Sequence, residues 1–392
     1  MFNLRMINFK TTDQVEEHLF KMGVETQGIK IMAPKALLQS IQLEGVPVKI
    51  ANILKQEMLS IGGEASVARG AVDSSVALTS VLLMGTHRDY KKLVTKLKMQ
   101  PFKLPELGRQ IGILIQNTQH RPEPLKVGQY TLPFGERTII MGILNLTPDS
   151  FSDGGKFFDV DKAVEHALKM VEEGADIIDV GAESTRPGHI SIEAEEELQR
   201  LVPVLERLLK EVCVPISVDT YKAATAQKVL DMGVHMINDV WGLQRDPKLA
   251  QVVSNYGIPV VVMHNQEGIE YNDFMGEVIA FLRKSIEIAE NAGILADKIV
   301  IDPGIGFGKA LEHNLEIMDR LDELKTLGKV ILLGTSRKSM IGKVLDLPVE
   351  ERIEGTAATV ALGIARGADI IRVHDVKEMA RVCRMMDAMV RR

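Results

Sequence analysis

Four polar residues in the second half of the chain have the side chains that a site for a flat nitrogen heterocycle requires. They are Asp219, Asn238, Asp302 and Lys338, and each follows a short apolar run. A carboxylate can accept two parallel N–H bonds from an amino-pyrimidinone edge, while Asn and Lys serve the remaining ring nitrogens and a carbonyl oxygen. These residue types therefore predict a subsite that reads the edge of such a ring.

Arg372 and His374 offer a second kind of chemistry near the C-terminus. Both side chains are expected to be cationic hydrogen-bond donors. They precede the last predicted helix, whose first backbone N–H groups are also available to an anion. Barrels of parallel strands often bind phosphate after strands seven and eight. We therefore expect an anion subsite here.

The elements that must position these residues are short apolar strands that alternate with helical patterns. Strands are predicted at residues 138–145, 176–181, 215–219, 235–239, 259–264, 298–302, 330–334 and 369–373. Helices are predicted at residues 160–173, 192–212, 221–232, 248–256, 275–292, 311–327, 352–366 and 376–390. Strict alternation over about 260 residues predicts a (β/α)8 barrel. An open doubly wound sheet is the alternative, because alternation alone does not show closure.

Every predicted strand ends in polar or ionisable side chains. Besides the residues above, the strand ends and the residues that follow them include Asn145, Asp179, Glu183, Asp239, His264, Ser336, Arg337 and Asp375. Any one of them could cap a helix or face solvent, and Asp219 before Thr220 is such a candidate cap. Eight strands that all end this way are hard to explain by capping, and a barrel places its active site at these ends.

Residues 304–309, GIGFGK, resemble the glycine-rich phosphate-binding loop of nucleotide-binding proteins. The segment has one residue too few for the Walker pattern, and Ala310 stands where Ser or Thr is required. We interpret the segment as a tight turn that brings Phe307 to the site.

Residues 1–125 are predicted to form a smaller α/β or α+β domain of unknown role, followed by the barrel at residues 126–392. Helices are predicted at residues 12–22, 35–42, 50–61 and 87–98, and strands at residues 28–32 and 76–84. The first domain has no phosphate loop, metal-ligand spacing or paired acids in its sequence. We expect an interaction or oligomerisation module, with a second enzyme as the alternative.

Composition narrows the class of protein. A formal net charge of −6 gives no basic footprint for nucleic acid, and no apolar run reaches the length of a membrane span. Cys213 and Cys383 are far apart, so neither a disulfide framework nor a zinc site is indicated. We expect a cytoplasmic protein with small-molecule partners, and we expect Met385, Met386 and Met389 to fill the core on the last helix.

Eight motifs, in this order and spacing, resemble those of the dihydropteroate synthase family. They are NLTPDSFSDGG, DVGAESTRPG, SVDT, MIND, VVMH, DPGIGFGK, GTSRKS and RVHD. The resemblance covers residues 130–392 and implies a transferase of folate biosynthesis with Mg2+ as cofactor. Such an enzyme condenses 6-hydroxymethyl-7,8-dihydropterin diphosphate with p-aminobenzoate, releasing diphosphate and forming 7,8-dihydropteroate. The family tends to form homodimers.

The resemblance also implies roles for individual residues. The pterin diphosphate site would consist of Asp219, Asn238, Met263, Asp302, Lys338, Arg372 and His374. The p-aminobenzoate site would consist of Thr185, Arg186, Pro187, Phe307, Lys338 and Ser339, and Asn145 would hold Mg2+. The catalytic set would consist of Lys338, Arg372, His374, Phe151, Asp153 and Arg186.

The family's chemistry implies an SN1-like route in which diphosphate leaves before the arylamine attacks. A pterin-binding methyltransferase barrel would share Asp219, Asn238 and Asp302, but it has no need for a diphosphate clamp. A non-catalytic pterin-binding protein would be expected to lose Lys338 or the first two loops. After His264 the chain departs from the family, because a short segment leads quickly to the next helix.

Overall fold

The structure is a computed structural model that describes residues 2–146, 159–183 and 191–391. The chain divides into two compact units, Met1–His120 and Arg121–Arg392. None of the helices in the described part of the chain has the length and apolar character that crossing a bilayer requires.

The first unit is built on a three-stranded antiparallel sheet with the strand order β1, β3, β2. Its elements are α1 Thr12–Lys21, α2 Thr26–Met32, β1 Leu38–Pro47, α3 Val48–Ser60, β2 Glu64–Val67, α4 Arg69–Val72, β3 Leu78–Thr86, α5 His87–Leu97 and α6 Leu104–Gln119. The core lies between the sheet and the helices, and the buried Tyr90 hydroxyl donates a hydrogen bond to the Leu83 carbonyl at 3.0 Å. The predicted mixed α and β character of this region is confirmed.

Two predictions in this unit are wrong. Residues 28–32 form the end of helix α2 instead of a strand, and strand β1 occupies most of the predicted helix at residues 35–42. A short apolar run does not distinguish a strand from a helix by its periodicity. Long-range pairing decides the second case, because β1 joins β3 with Ile41 opposite Leu83.

The second unit is a barrel preceded by a hairpin. Its strands are β4 Leu125–Val127, β5 Tyr130–Leu132, β6 Ile139–Asn145, β7 Ile177–Gly181, β8 Ile216–Asp219, β9 Met236–Asp239, β10 Val260–Met263, β11 Ile299–Asp302, β12 Val330–Leu333 and β13 Ile370–Val373. Its helices are α7 Val160–Glu173, α8 Ala194–Glu211, α9 Ala223–Asp231, α10 Leu249–Tyr256, α11 Phe274–Asn291, α12 Leu311–Asp319, α13 Ser339–Leu345, α14 Ile353–Arg366 and α15 Val376–Val390.

Strands β6 to β13 close into a parallel barrel, as the sequence predicts. The last strand pairs with the first one, with Ile370 opposite Ile139, so the open-sheet alternative is excluded. All the strand ends therefore meet at one rim. Gly174 and Gly367 end helices α7 and α14 with φ values of 110° and 106°, which favour glycine.

The hairpin of β4 and β5 is part of the barrel's hydrophobic core. Leu125, Val127, Leu132 and Phe134 are buried in one cluster with the barrel residues Ile139, Met141, Ile177, Met236, Val261, Val300, Val330, Leu332 and Ile370. Since several of these residues begin their strands, the hairpin covers the amino end of the barrel. The opposite end remains for the site.

Two methionines of the last helix, α15, do not have the buried position that the sequence predicts. Met385 and Met389 are 61% and 46% exposed, so the prediction that they fill the core is wrong. Met386 alone of the three packs partly against the core.

Candidate active site

The carboxyl ends of the barrel strands surround a pocket that brings distant residues together. It is lined by Asp219, Asn238, Val240, Met263, Asp302, Ile305, Phe307, Gly334, Lys338 and Arg372. Seven of these residues are site residues predicted from the sequence. The pocket therefore has carboxyl, amide and cationic groups on an otherwise apolar wall.

Asp302 is the last residue of β11 and is held by the loop that follows it. Its Oδ1 accepts a hydrogen bond from the Gly304 N–H at 2.7 Å. A Cβ at Gly304 would lie 2.0 Å from the His264 carbonyl oxygen, so a glycine is required for this close approach. Burial raises the pKa of Asp302 to about 6, although the Gly304 N–H opposes the rise. A ligand that donates N–H groups to this carboxyl would favour its ionised form.

Arg372 joins two buried carboxyl groups on the floor of the pocket. Its Nε donates to Asp179 Oδ2 at 2.7 Å, and its Nη2 donates to Asp219 Oδ2 at 3.0 Å. Asn238 Nδ2 donates to the same Asp179 oxygen at 3.0 Å. The network ties β7, β8, β9 and β13 together, so the side chains that face the pocket are fixed before a ligand arrives.

Asp179 is the functional residue that the sequence analysis missed. Gly181 is in register with Asp219, so Asp179 lies two residues deeper on its strand than the pocket rim. The only sequence signal was its place in the pattern of polar strand ends. Burial raises the pKa of Asp219, Arg372 opposes this rise, and the charge of Asp179 adds to it.

Lys338 stands at the N-terminus of α13, with its Nζ 4.3 Å from the centroid of the Phe307 ring. The preceding residue, Arg337, has a φ of 57°, which is unusual for a side chain other than glycine. Arg337 is held there by a 3.0 Å bond from its Nε to Asp375, and by Arg352, which donates to its carbonyl at 3.0 Å. This fixed backbone directs Lys338 into the pocket, whereas Ser339 is exposed.

His374 lies next to the pocket, bonded to Ser336. Its main-chain N–H donates to Ser336 Oγ at 3.1 Å, and its Nδ1 lies 3.0 Å from the same oxygen. Burial, followed by the charge of Arg372, lowers the pKa of His374 to about 3. The imidazole is therefore neutral near pH 7, and the charge of a bound diphosphate would oppose this shift. A neutral imidazole can still donate one N–H to an anion.

Asn145 ends β6 at the same rim. Its Oδ1 lies 3.9 Å from the position that a Cβ on Gly181 would occupy, and Asp219 Oδ2 lies 3.8 Å from that position. Within residues 2–146, 159–183 and 191–391, no group of three His, Cys, Asp or Glu could hold a metal.

Five predicted site residues lie outside the described residues: Phe151, Asp153, Thr185, Arg186 and Pro187. The residues on either side of 184–190 share one partner. The Tyr221 hydroxyl donates to Glu183 Oε1 at 3.2 Å and lies 2.8 Å from Ser191 Oγ. Tyr221 therefore links the two described ends of this segment.

Comparison with known proteins assigns the family. The profile described as "Pterin binding enzyme" matches residues 141–374. The dihydropteroate synthase of Clostridium beijerinckii is 52% identical over 269 residues, which make up 68% of this chain and 100% of that protein. The chain belongs to the dihydropteroate synthases. The resemblance seen in the eight motifs is thus confirmed, and the protein is a transferase of folate biosynthesis.

A solved structure agrees with this assignment. The crystal structure of dihydropteroate synthase from Clostridium difficile in the presence of pteroic acid is 54% identical and has a TM-score of 0.65. The match covers 67% of this chain and 100% of that one. The barrel of this dihydropteroate synthase family member therefore corresponds to an entire protein elsewhere in the family.

A third relative extends the likeness to the first unit. The probable bifunctional folylpolyglutamate synthase/dihydropteroate synthase of Halobacterium salinarum is 40% identical over 384 residues. The match covers 96% of this chain and 46% of that protein. An alignment of this extent must include most of Met1–His120. A dihydropteroate synthase barrel with this N-terminal unit therefore occurs in another protein.

Proposed function

We propose that the chain condenses 6-hydroxymethyl-7,8-dihydropterin diphosphate with p-aminobenzoate to form 7,8-dihydropteroate and diphosphate. The observation that carries the proposal is the convergence of seven predicted site residues on one pocket at the barrel rim. Family membership supports the same reaction. A relative that was crystallised in the presence of pteroic acid, which contains a pterin and p-aminobenzoate, also supports it.

The pterin ring would bind on the floor of the pocket. Asp302 would accept paired N–H bonds from the amino-pyrimidinone edge, as a charged acceptor suited to two parallel donors. Asp219 and Asn238 would serve the remaining ring nitrogens, and Lys338 would donate to the carbonyl oxygen. Met263 would pack against the ring, since it is buried in the pocket wall.

The leaving group would lie towards Arg372 and His374. Breaking the bond between the pterin methylene carbon and the diphosphate oxygen leaves the electron pair on diphosphate, with about three negative charges to neutralise. Arg372 Nε and Nη2 bond Asp179 and Asp219, so the remaining N–H groups of the guanidinium would serve the anion. The neutral His374 would add one N–H donor.

Asn145 would hold Mg2+ on the substrate diphosphate. Its amide oxygen suits a hard cation, and Mg2+ usually combines one or two protein ligands with substrate phosphates. When bound, the ion would share the charge of the departing diphosphate. Removal of Mg2+ with a chelator should therefore abolish turnover.

The arylamine nitrogen would then attack the cationic methylene carbon, form the C–N bond and release its proton to water. A cation is a strong electrophile, so the route needs no strong general base. Residues proposed to hold p-aminobenzoate or to take part in this step are Thr185, Arg186, Pro187, Phe307, Lys338, Ser339, Phe151 and Asp153. Among the described ones, Phe307 and Lys338 lie in contact at the pocket wall.

Formation of dihydropteroate by two purified proteins, the whole chain and residues 121–392, tests the proposal. The shorter protein begins before β4, because the hairpin is part of the barrel core. We expect both to form product from the two substrates with Mg2+, since the clostridial relative corresponds to the barrel alone. Failure of the whole chain to form product would reject the function, and failure of the shorter one alone would assign a role to the first unit.

We also propose that the chain forms a homodimer through α14 and α15. These helices pack on each other, and they expose the apolar side chains of Leu362, Met385, Met389 and Val390. Exposed apolar residues that cluster on neighbouring helices are typical of a protein interface. A second copy of the chain is the partner that the family's tendency to form dimers suggests.

The cytoplasm is the proposed compartment. Both cysteines are free, Cys213 at the surface and Cys383 in the core, as expected for a reducing environment.

A further inference from the structure

Lys309 is a buried lysine to which the proposed reaction gives no role. The residue is 8% exposed, and its Nζ bonds to two neutral acceptors, His264 Nδ1 at 2.7 Å and the Phe307 carbonyl at 3.0 Å. Burying an ammonium group is costly, and burial lowers the pKa of Lys309 to about 7, although the charge of Asp302 opposes this shift. A cost of this kind at the edge of an active site suggests a role for the residue in that site.

The direction of the bond between Lys309 and His264 follows from the protonation states of the two groups. Burial, followed by the charge of Lys309, lowers the pKa of His264 to about 3. The ring is therefore neutral near pH 7. Protonated Lys309 has only N–H donors, so in that state Lys309 donates and Nδ1 is the acceptor. Phe281 packs edge-on against the His264 ring with 4.9 Å between the centroids, so the acceptor itself is fixed in place.

The loop that contains Lys309 is tied down at several points. The Gly306 N–H donates to Asn314 Oδ1 at 2.6 Å, and the Tyr271 hydroxyl donates to the Gly308 carbonyl at 2.6 Å. Lys309 adds a bond at Phe307, the residue whose side chain reaches the pocket. Its ammonium thus links the end of β10 to the part of the loop that shapes the site.

We propose that Lys309 is a positioning residue, whose ammonium fixes the main chain at Phe307 and so holds the Phe307 ring against Lys338. The inference rests on the proposed function, because Phe307 and Lys338 form the wall assigned to p-aminobenzoate. It also explains the resemblance of residues 304–309 to a phosphate loop. The lysine of that segment bonds to protein acceptors and stabilises a turn.

Lys309→Met removes the charge and both hydrogen bonds while it keeps the length of the side chain. We expect the KM for p-aminobenzoate to rise about ten- to a hundredfold, because a small displacement of a positioning group can have an effect of this size. We expect the Kd for 6-hydroxymethylpterin, measured by calorimetry, to change by less than about threefold, because Lys309 bonds His264 and Phe307, whereas it acts on Asp302 through its charge.

Lys329→Met is the matched control. Lys329 is also a largely buried lysine, and its Nζ bonds the Ala296 carbonyl at 3.0 Å and Glu290 at 2.9 Å. It precedes β12, at the opposite end of the barrel from the site. Loss of stability without a rise in KM is expected for this variant. An equal rise in KM for Lys309→Met and Lys329→Met would show that the rise comes from general destabilisation, and it would reject the proposal.

A second pair of variants keeps the test decisive if Lys309→Met does not fold. His264→Asn keeps an acceptor close to the position of Nδ1, and His264→Leu removes it. We expect the KM for p-aminobenzoate to stay within about threefold of wild type for the Asn variant and to rise about tenfold or more for the Leu variant. An unchanged KM in His264→Leu or Lys309→Met, with an active wild type, overturns the inference and leaves the function intact. An inactive wild type overturns the proposed function itself.

Discussion

Replacing Asp302 with Asn tests the core of the pterin site. The substituted amide can still accept from the Gly304 N–H, which Asp302 Oδ1 binds at 2.7 Å, so the loop keeps its anchor. It loses the negative charge, and it turns a donor towards the paired N–H groups of the pterin. A hydrogen bond to a charged group contributes about 1.5–3 kcal/mol, so losing two costs about 3–6 kcal/mol. The affinity for the pterin should fall about 10²- to 10⁴-fold.

Calorimetric titration with 6-hydroxymethylpterin measures this loss directly. Asp239→Asn is the matched control, because Asp239 is an equally buried carboxyl group at the end of the strand next to β8. It accepts hydrogen bonds from the main-chain N–H groups of Trp241 and Leu243 and does not line the pocket. A folded Asp302→Asn protein that binds pterin within about threefold of wild type would refute the assigned acceptor.

Three further outcomes follow from the charges and surfaces described above. Burial raises the pKa of Asp239 to about 7, so the folded protein keeps a proton that the unfolded chain releases near pH 4. The free energy of unfolding should therefore fall as the pH rises from about 4 to 7, and Asp239→Asn should reduce this fall by up to about 4 kcal/mol in urea titrations. Arg372→Ala leaves Asp179 and Asp219 without their cation and should cost about 3–5 kcal/mol of stability. It should also weaken binding of the pterin diphosphate more than binding of the pterin alone, and equal losses in calorimetry would contradict the anion subsite. Met385→Glu should yield monomers in light scattering, and unchanged dimers would place the interface elsewhere.

Much of the barrel could be predicted because its strands are buried on both faces. Such strands read as continuous apolar runs, and the intervening helices have an amphipathic pattern, so local sequence defines both. The first unit was harder to predict. Strand β1 owes its conformation to pairing with β3, and the two partners are separated by two helices and a strand. Propensity within a short window does not contain that contact.

The sequence could predict which residues lie at the site, but it could not predict which residues they bond to. A barrel gathers the ends of its strands at one rim, so Asp219, Asn238 and Asp302 could be placed together before any contact was known. The role of Asp179 could not, because Arg372, to which it bonds, lies 193 positions away. The neutral state of His374 depends on burial and on a neighbouring charge, both of which are properties of the folded protein.

The Arg372 network has a consequence for how a substrate enters the pocket. The carboxyl groups of Asp179, Asp219 and Asp302 attract N–H groups, whereas the cations of Arg372 and Lys338 attract phosphate. A molecule with a neutral bicycle that donates N–H groups at one end and a polyanion at the other would be oriented by these opposite charges while it is still diffusing inward. Orientation would then be selected by the electric field of the barrel before the first hydrogen bond forms.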